Sequence, residues 1–197
     1  FATIEPNTGI VGVPDERLAV LGKMYESDKI VPATVEFVDI AGLIAGASKG
    51  EGLGNKFLAN IRECKVICHV VRAFKDGNVT HVANSVDPKR DIETVETELA
   101  LADIDSLERA LVKMRKDTKS GNKEAIAKVA MAEKVLDELK SGKTHVEPVE
   151  GLDLLSAKPV FYMFNLDEDE LTDEAKLAEL SAMKKKKKCV FVNAKLE

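Results

Sequence analysis

At 197 residues, 45% hydrophobic and 32% charged, the chain suits one domain with an insertion, or two small domains, around a real core. Its net charge of −5 supplies no overall attraction to nucleic acid or to an anionic membrane, and sequence-specific DNA is not an expected partner. No apolar run approaches the ~20 residues of a membrane span, and the start Phe1-Ala2-Thr3-Ile4-Glu5-Pro6 shows no signal peptide.

The first strong element is Thr34-Val35-Glu36-Phe37-Val38-Asp39, read as a buried strand over Val35–Val38 that delivers Asp39. Ile40, Ala41 and Gly42 follow, completing Asp-x-x-Gly. In switch-type nucleotide triphosphatases that aspartate holds the Mg²⁺ shell, usually through water, and the glycine amide meets the γ-phosphate. Gly46, Gly50, Gly52 and Gly54 then make a glycine-rich loop, the kind of segment a γ-phosphate orders and hydrolysis releases. Glu51–Cys64 has helical spacing, with Leu53, Phe57, Leu58 and Ile61 on one face. Val66–Val71 reads as the next strand, completing a right-handed βαβ unit.

The period then changes. Asp91–Arg115 reads as one long helix carrying Ile92, Val95, Leu99 and Ala102, with a shifted stripe through Ile104, Leu107, Leu111 and Met114. Ser120-Gly121-Asn122 is a turn signal, and Lys123–Lys140 is a second helix with Ile126, Val129, Val135, Leu136 and Leu139 apolar. Together they predict an antiparallel helical hairpin set into the sheet. Gly142-Lys143-Thr144 imitates the end of a P-loop. Position 137, where the first glycine belongs, is Asp137, and the segment follows a helix. It reads as a helix stop.

Val160–Phe164 and Cys189–Val192 are the remaining strands, and Lys184–Lys188 between them reads as a solvated helix end. Asn165-Leu166-Asp167-Glu168 ends the third strand, where an open α/β sheet has its ligand crevice. An Asn amide there can donate to and accept from a purine edge. The usual guanine-reading pattern is Asn-Lys-x-Asp; Leu166 and Glu168 replace its Lys and Asp, so relaxed guanine preference is expected. Asn193-Ala194-Lys195 ends the last strand in place of a Ser-Ala-Lys loop that packs under the base. Cys64, Cys68 and Cys189 fit no zinc spacing and read as reduced, buried thiols of a cytosolic protein. His69 reads as a structural strand residue.

In order, Thr3-Ile4-Glu5-Pro6-Asn7-Thr8-Gly9, Val13-Pro14-Asp15-Glu16-Arg17-Leu18, Asp39 to Leu43, Gly46 to Asn55 and Asn165 to Glu168 resemble the YchF subfamily of Obg-like ATPases, within the translation-factor class of P-loop NTPases. The resemblance covers essentially the whole chain. It implies an α/β fold with a mostly parallel, G-domain-like sheet interrupted by a helical arm: residues 1–86 and 151–197 for the nucleotide-binding domain and 87–150 for the arm. It implies an ATPase switch, with GTP less favoured, that is cytoplasmic and associates with the ribosome; the oligomeric state stays open. Thr3 and Asp39 would hold Mg²⁺, Gly42 would meet the γ-phosphate, and Asn165, Leu166, Glu168, Asn193 and Ala194 would surround the base. Leu43 stands where relatives carry the glutamine that orients the attacking water, so slow hydrolysis is expected, and His81 is the candidate to help. The family's P-loop would precede Phe1 and its C-terminal TGS domain would follow Glu197, so this chain alone is expected to bind nucleotide poorly. Two alternatives stay open: a non-catalytic module working through the arm, and a GTP-specific switch.

Overall fold

The computed structural model describes residues 7–40, 53–75, 85–118, 121–184 and 187–196. The chain divides into two compact units, Phe1–Gly42 and Leu43–Glu197.

In the first unit β1 (Asn7–Gly12) and β2 (Thr34–Asp39) form an antiparallel ribbon around α1 (Glu16–Met24) in sequence. Asp15 caps α1 by accepting from Arg17 N at 3.0 Å. Here the expectation for β2 is corrected. The strand exists, but it pairs antiparallel with β1, lies in a different sheet from the strand that follows, and leaves Val35 and Phe37 exposed. Its apolar residues alternate with Glu36, a pattern for one covered face at most.

The second unit holds α2 (Leu53–Glu63) and a three-stranded parallel sheet in the order β3 (Ile67–Arg72), β4 (Val160–Asn165), β5 (Cys189–Val192). Val71, Ala73, Tyr162, Phe164 and Leu166 are buried here with Leu180 of α5 (Glu174–Met183). Between β3 and β4 stand α3 (Pro88–Asp117) and α4 (Lys123–Lys140). Asp87 and Asn122 cap their N-termini. Gly142, at φ 94°, ends α4 as a left-handed stop, as expected from the sequence. Leu107, Leu111, Ala132, Val135 and Leu139 form the hairpin core with Val149 and Leu154 of the return segment. Ile92, near the start of α3, belongs instead to the sheet core. One helix thus roots the hairpin in the sheet. Ile126, expected on the apolar face of α4, is exposed.

Asp103 fastens the return segment. Its fully buried carboxylate accepts from Leu155 N (3.0 Å), Ser156 N (2.7 Å) and Ser156 Oγ (2.6 Å). Asp103→Ala would strand two backbone donors away from water, and is expected to cost about 2–3 kcal/mol, read as a lowered urea midpoint.

Candidate functional site

The ribbon register pairs Asn7 with Asp39. The chain enters β1 and leaves β2 at the same end, the end that carries Asp39. The Asp39 carboxylate is exposed and has no partner among the described residues. No group of three or more His, Cys, Asp or Glu among those residues could hold a metal unaided. Mg²⁺ does not require one: it binds through one or two carboxylates together with substrate phosphates and water. Asp39 fits that role. Thr3, Gly42, Leu43 and His81 lie outside the described residues.

The second cluster stands at the carboxyl ends of the parallel strands, where Arg72, Asn165 and Val192 are in register. The structure brings Asn165, Leu166, Asn193 and Ala194 together. Ala194 N donates to Asn165 Oδ1 at 3.0 Å, and Asn193 Nδ2 donates to Leu166 O at 2.9 Å. Asn193 Oδ1 accepts from Lys195 N (2.9 Å) and Leu196 N (3.1 Å). Every backbone donor from 194 to 196 is therefore already engaged, Ala194 N by Asn165 and the other two by Asn193. Asn165 keeps its Nδ2 group without a partner among the described residues. The Leu166 side chain is buried in the sheet core, so what it presents outward is backbone. Glu168 is exposed and stands just before a 3₁₀ turn, Asp169–Thr172, with its carboxylate unpartnered among the described residues.

Two positions missed in the sequence complete this mouth. Asp167 Oδ2 accepts from Lys75 N at 3.0 Å, and Asn165 O accepts from Ala73 N and Phe74 N. The segment after β3 is thereby bound to the Asn165–Glu168 turn, with the Arg72 guanidinium 4.4 Å above the Phe74 ring. An aspartate directly after a strand was the available signal, since Asp side chains commonly hold backbone amides at turns.

Lys184, read from sequence as part of a solvated helix end, is instead mostly buried. Its Nζ lies 2.5 Å from Glu96 Oε1 on α3 and 5.6 Å from the centre of the Tyr162 ring. It turns inward because Glu96, itself buried, needs a countercharge. All three cysteines are free and half-buried; burial pushes the Cys68 and Cys189 thiols up.

Among the described residues no helix is long and apolar enough to cross a membrane. Residues 1–195 match the profile of the family described as 50S ribosome-binding GTPase. The chain is 46% identical to the "Ribosome-binding ATPase YchF" of Haemophilus ducreyi over 201 residues, covering 98% of this chain and 55% of that protein. It is 46% identical to the Bacillus subtilis protein of the same name over 182 residues, covering 88% and 50%. A solved structure, the YchF GTPase of Schizosaccharomyces pombe, superposes with a TM-score of 0.71 at 33% identity, covering 98% of this chain and 56% of that one. The chain spans about half the length of the curated relatives it matches. With its parallel sheet, inserted hairpin and strand-end asparagines, the chain belongs to the YchF subfamily of Obg-like ATPases, within the 50S ribosome-binding GTPase family of P-loop NTPases.

Proposed function

We propose that this chain is the nucleotide-binding part of a cytoplasmic, ATP-hydrolysing switch that associates with the ribosome. Residues 1–86 and 151–197 serve the nucleotide, and 87–150 form an arm that follows its state. Asp39 and Thr3 hold the Mg²⁺ shell, and the ion when bound neutralises charge developing between the β- and γ-phosphates. The Gly42 amide donates to the γ-phosphate. Leu43 offers the attacking water no hydrogen bond, so hydrolysis is slow, with His81 the candidate to orient that water. Ribosome association rests on the names of the relatives.

The observation that carries the preference for ATP is the closed hydrogen bonding of residues 194–196. Guanine presents an acceptor at O6 and seeks a donor there, whereas adenine presents an amino group. With the Ala194, Lys195 and Leu196 amides all engaged, the loop offers O6 no backbone donor. Asn165 Nδ2 donates to N7, which both purines share, so it fixes a purine without choosing between them. Glu168 stands one methylene further out than the aspartate that would accept from the guanine edge.

The test is competition between ATP and GTP for the intact protein with Mg²⁺. ATP is expected to win by at least about tenfold, the discrimination of one well-placed hydrogen bond. Asn165→Ala is expected to weaken both nucleotides about tenfold and leave their ratio unchanged. A preference for GTP in the parent protein would overturn the base reading.

A further inference from the structure

We propose that Arg62 is a positioning residue that makes the root of the helical hairpin follow the nucleotide-sensing segment. This rests on the switch reading above and extends it to how the arm is moved.

Arg62 stands in the last turn of α2, the helix that directly follows the glycine-rich segment after Asp39-x-x-Gly42. A basic residue there ordinarily serves its own helix, whose terminal carbonyls are unpaired. Here another residue has that task. Lys158, just ahead of β4, donates through Nζ to Arg62 O (2.8 Å) and Cys64 O (2.5 Å). The Arg62 guanidinium is free to reach away from α2. It donates through one terminal nitrogen to Ser106 Oγ on α3 (3.0 Å) and through the other to Asp153 O in the return segment (3.2 Å). Ser106 Oγ donates in turn to Ala102 O at 2.9 Å, which turns its lone pairs toward the arginine.

These contacts close a frame. One turn before Ser106 on the same helix, Asp103 holds the Leu155 and Ser156 amides. The return segment is therefore held from α3 by Asp103 and from α2 by Arg62, and Lys158 at its end holds α2. A rigid-body shift of α2 must carry the root of α3 and the end of the return segment with it, or break the fork. Coupling between distant sites travels through rigid elements joined in this way, and the forked guanidinium fixes direction as a single ammonium does not.

The experiment is amide hydrogen exchange on the intact protein with Mg²⁺ and either ADP or the imido analogue of ATP. In the parent protein, uptake is expected to differ between the two nucleotides both in the first turns of α2 and along Lys123–Lys140. In Arg62→Ala the α2 difference is expected to persist and nucleotide affinity to stay within about twofold, while the difference along α4 falls at least threefold. Ser106→Ala should show the same pattern more weakly, and Arg62→Lys should restore part of the α4 response. A purely structural Arg62 would raise uptake equally in both nucleotide states and leave the difference intact, which overturns the proposal. It is also overturned if the parent shows a response in α2 with none in α4. Failure of the parent to bind either nucleotide would instead remove the switch reading, and this inference with it.

Discussion

Replacing Asp39 with alanine in the intact protein is expected to slow Mg²⁺-dependent ATP turnover by about 10²-fold or more, the scale of losing one group that stabilises charge in the transition state. The fold is not expected to suffer. Asp39 is exposed, its carboxylate has no partner among the described residues, and β2 is held there by backbone pairing to Asn7. On the proposed reading the carboxylate serves an ion that would arrive with the substrate, which is how Mg²⁺ sites of this kind are built. The check is phosphate release across a Mg²⁺ titration, with Glu36→Ala as the control. Glu36 is an exposed acid on the same strand, facing the other side. Asp39→Ala should lose turnover at every Mg²⁺ concentration and Glu36→Ala should not. Equal turnover in Asp39→Ala and the parent would refute the assigned role.

How much of this was legible in the sequence depended on how many faces each element buries. β3, β4 and β5 were recognisable because short apolar runs between turns suit a parallel sheet, and the long stripes of α3 and α4 announced the hairpin. β2 was visible as a strand, yet its partner was not. β1 reads Asn7-Thr8-Gly9-Ile10-Val11-Gly12, where two glycines and no alternation hide a strand. α1 buries none of its residues, so no stripe was there to find. The strand-end asparagines could be picked out by type and place. Their engagement with Ala194 and Leu166 could not, because it depends on two strand ends distant in sequence meeting in space. Buried charge was the least legible feature. Glu96 and Lys184 belong to residue types that favour the surface, and nothing local marks them as partners.

That buried pair carries the largest expected effect on stability. Glu96 accepts from the Tyr162 hydroxyl at 2.5 Å and from Thr144 Oγ1 at 3.1 Å, with Lys184 Nζ on the same oxygen as Tyr162. His145 Nε2 lies 3.4 Å from that oxygen without the alignment of a hydrogen bond. Burial alone would push the Glu96 carboxyl up; the neighbouring His145 ring and the hydrogen bonds and charge of Lys184 and Tyr162 outweigh it and hold the group well below the usual range. Burial and the Glu96 charge in turn hold the Tyr162 phenol up, so it remains a donor. Glu96→Ala leaves a lysine and a buried hydroxyl without their acceptor, and is expected to cost about 3–5 kcal/mol, or about 10 °C in Tm for a chain of this size. Glu96→Gln combined with Lys184→Met keeps an acceptor for Tyr162 and removes both charges, and should recover most of that loss. A loss below about 1 kcal/mol in Glu96→Ala would contradict a buried, charge-paired carboxylate.

The acid limb separates into two parts. His69, its ring 5.6 Å from that of Tyr162, is pushed down from 6.5 to about 4, first by burial and then by the Lys184 charge, against the opposing pull of Glu96 and Asp91. A histidine held neutral in the fold takes up its proton more readily when unfolded. Its contribution is complete above pH 6.5 and is lost as pH falls toward 4, by at most about 3 kcal/mol. The Glu96 contribution is complete above the ordinary glutamate value of 4.5 and fades only below it. His69→Phe should therefore flatten the stability profile between pH 6.5 and 4.5 while leaving the steeper loss below. Glu96→Gln should do the reverse. A profile unchanged in that upper window by His69→Phe would show that the ring meets water in the native state. Because His69 on β3, Tyr162 on β4, Glu96 on α3 and Lys184 at the end of α5 share this cluster, the same titration tests whether the hairpin root and the sheet unfold as one body.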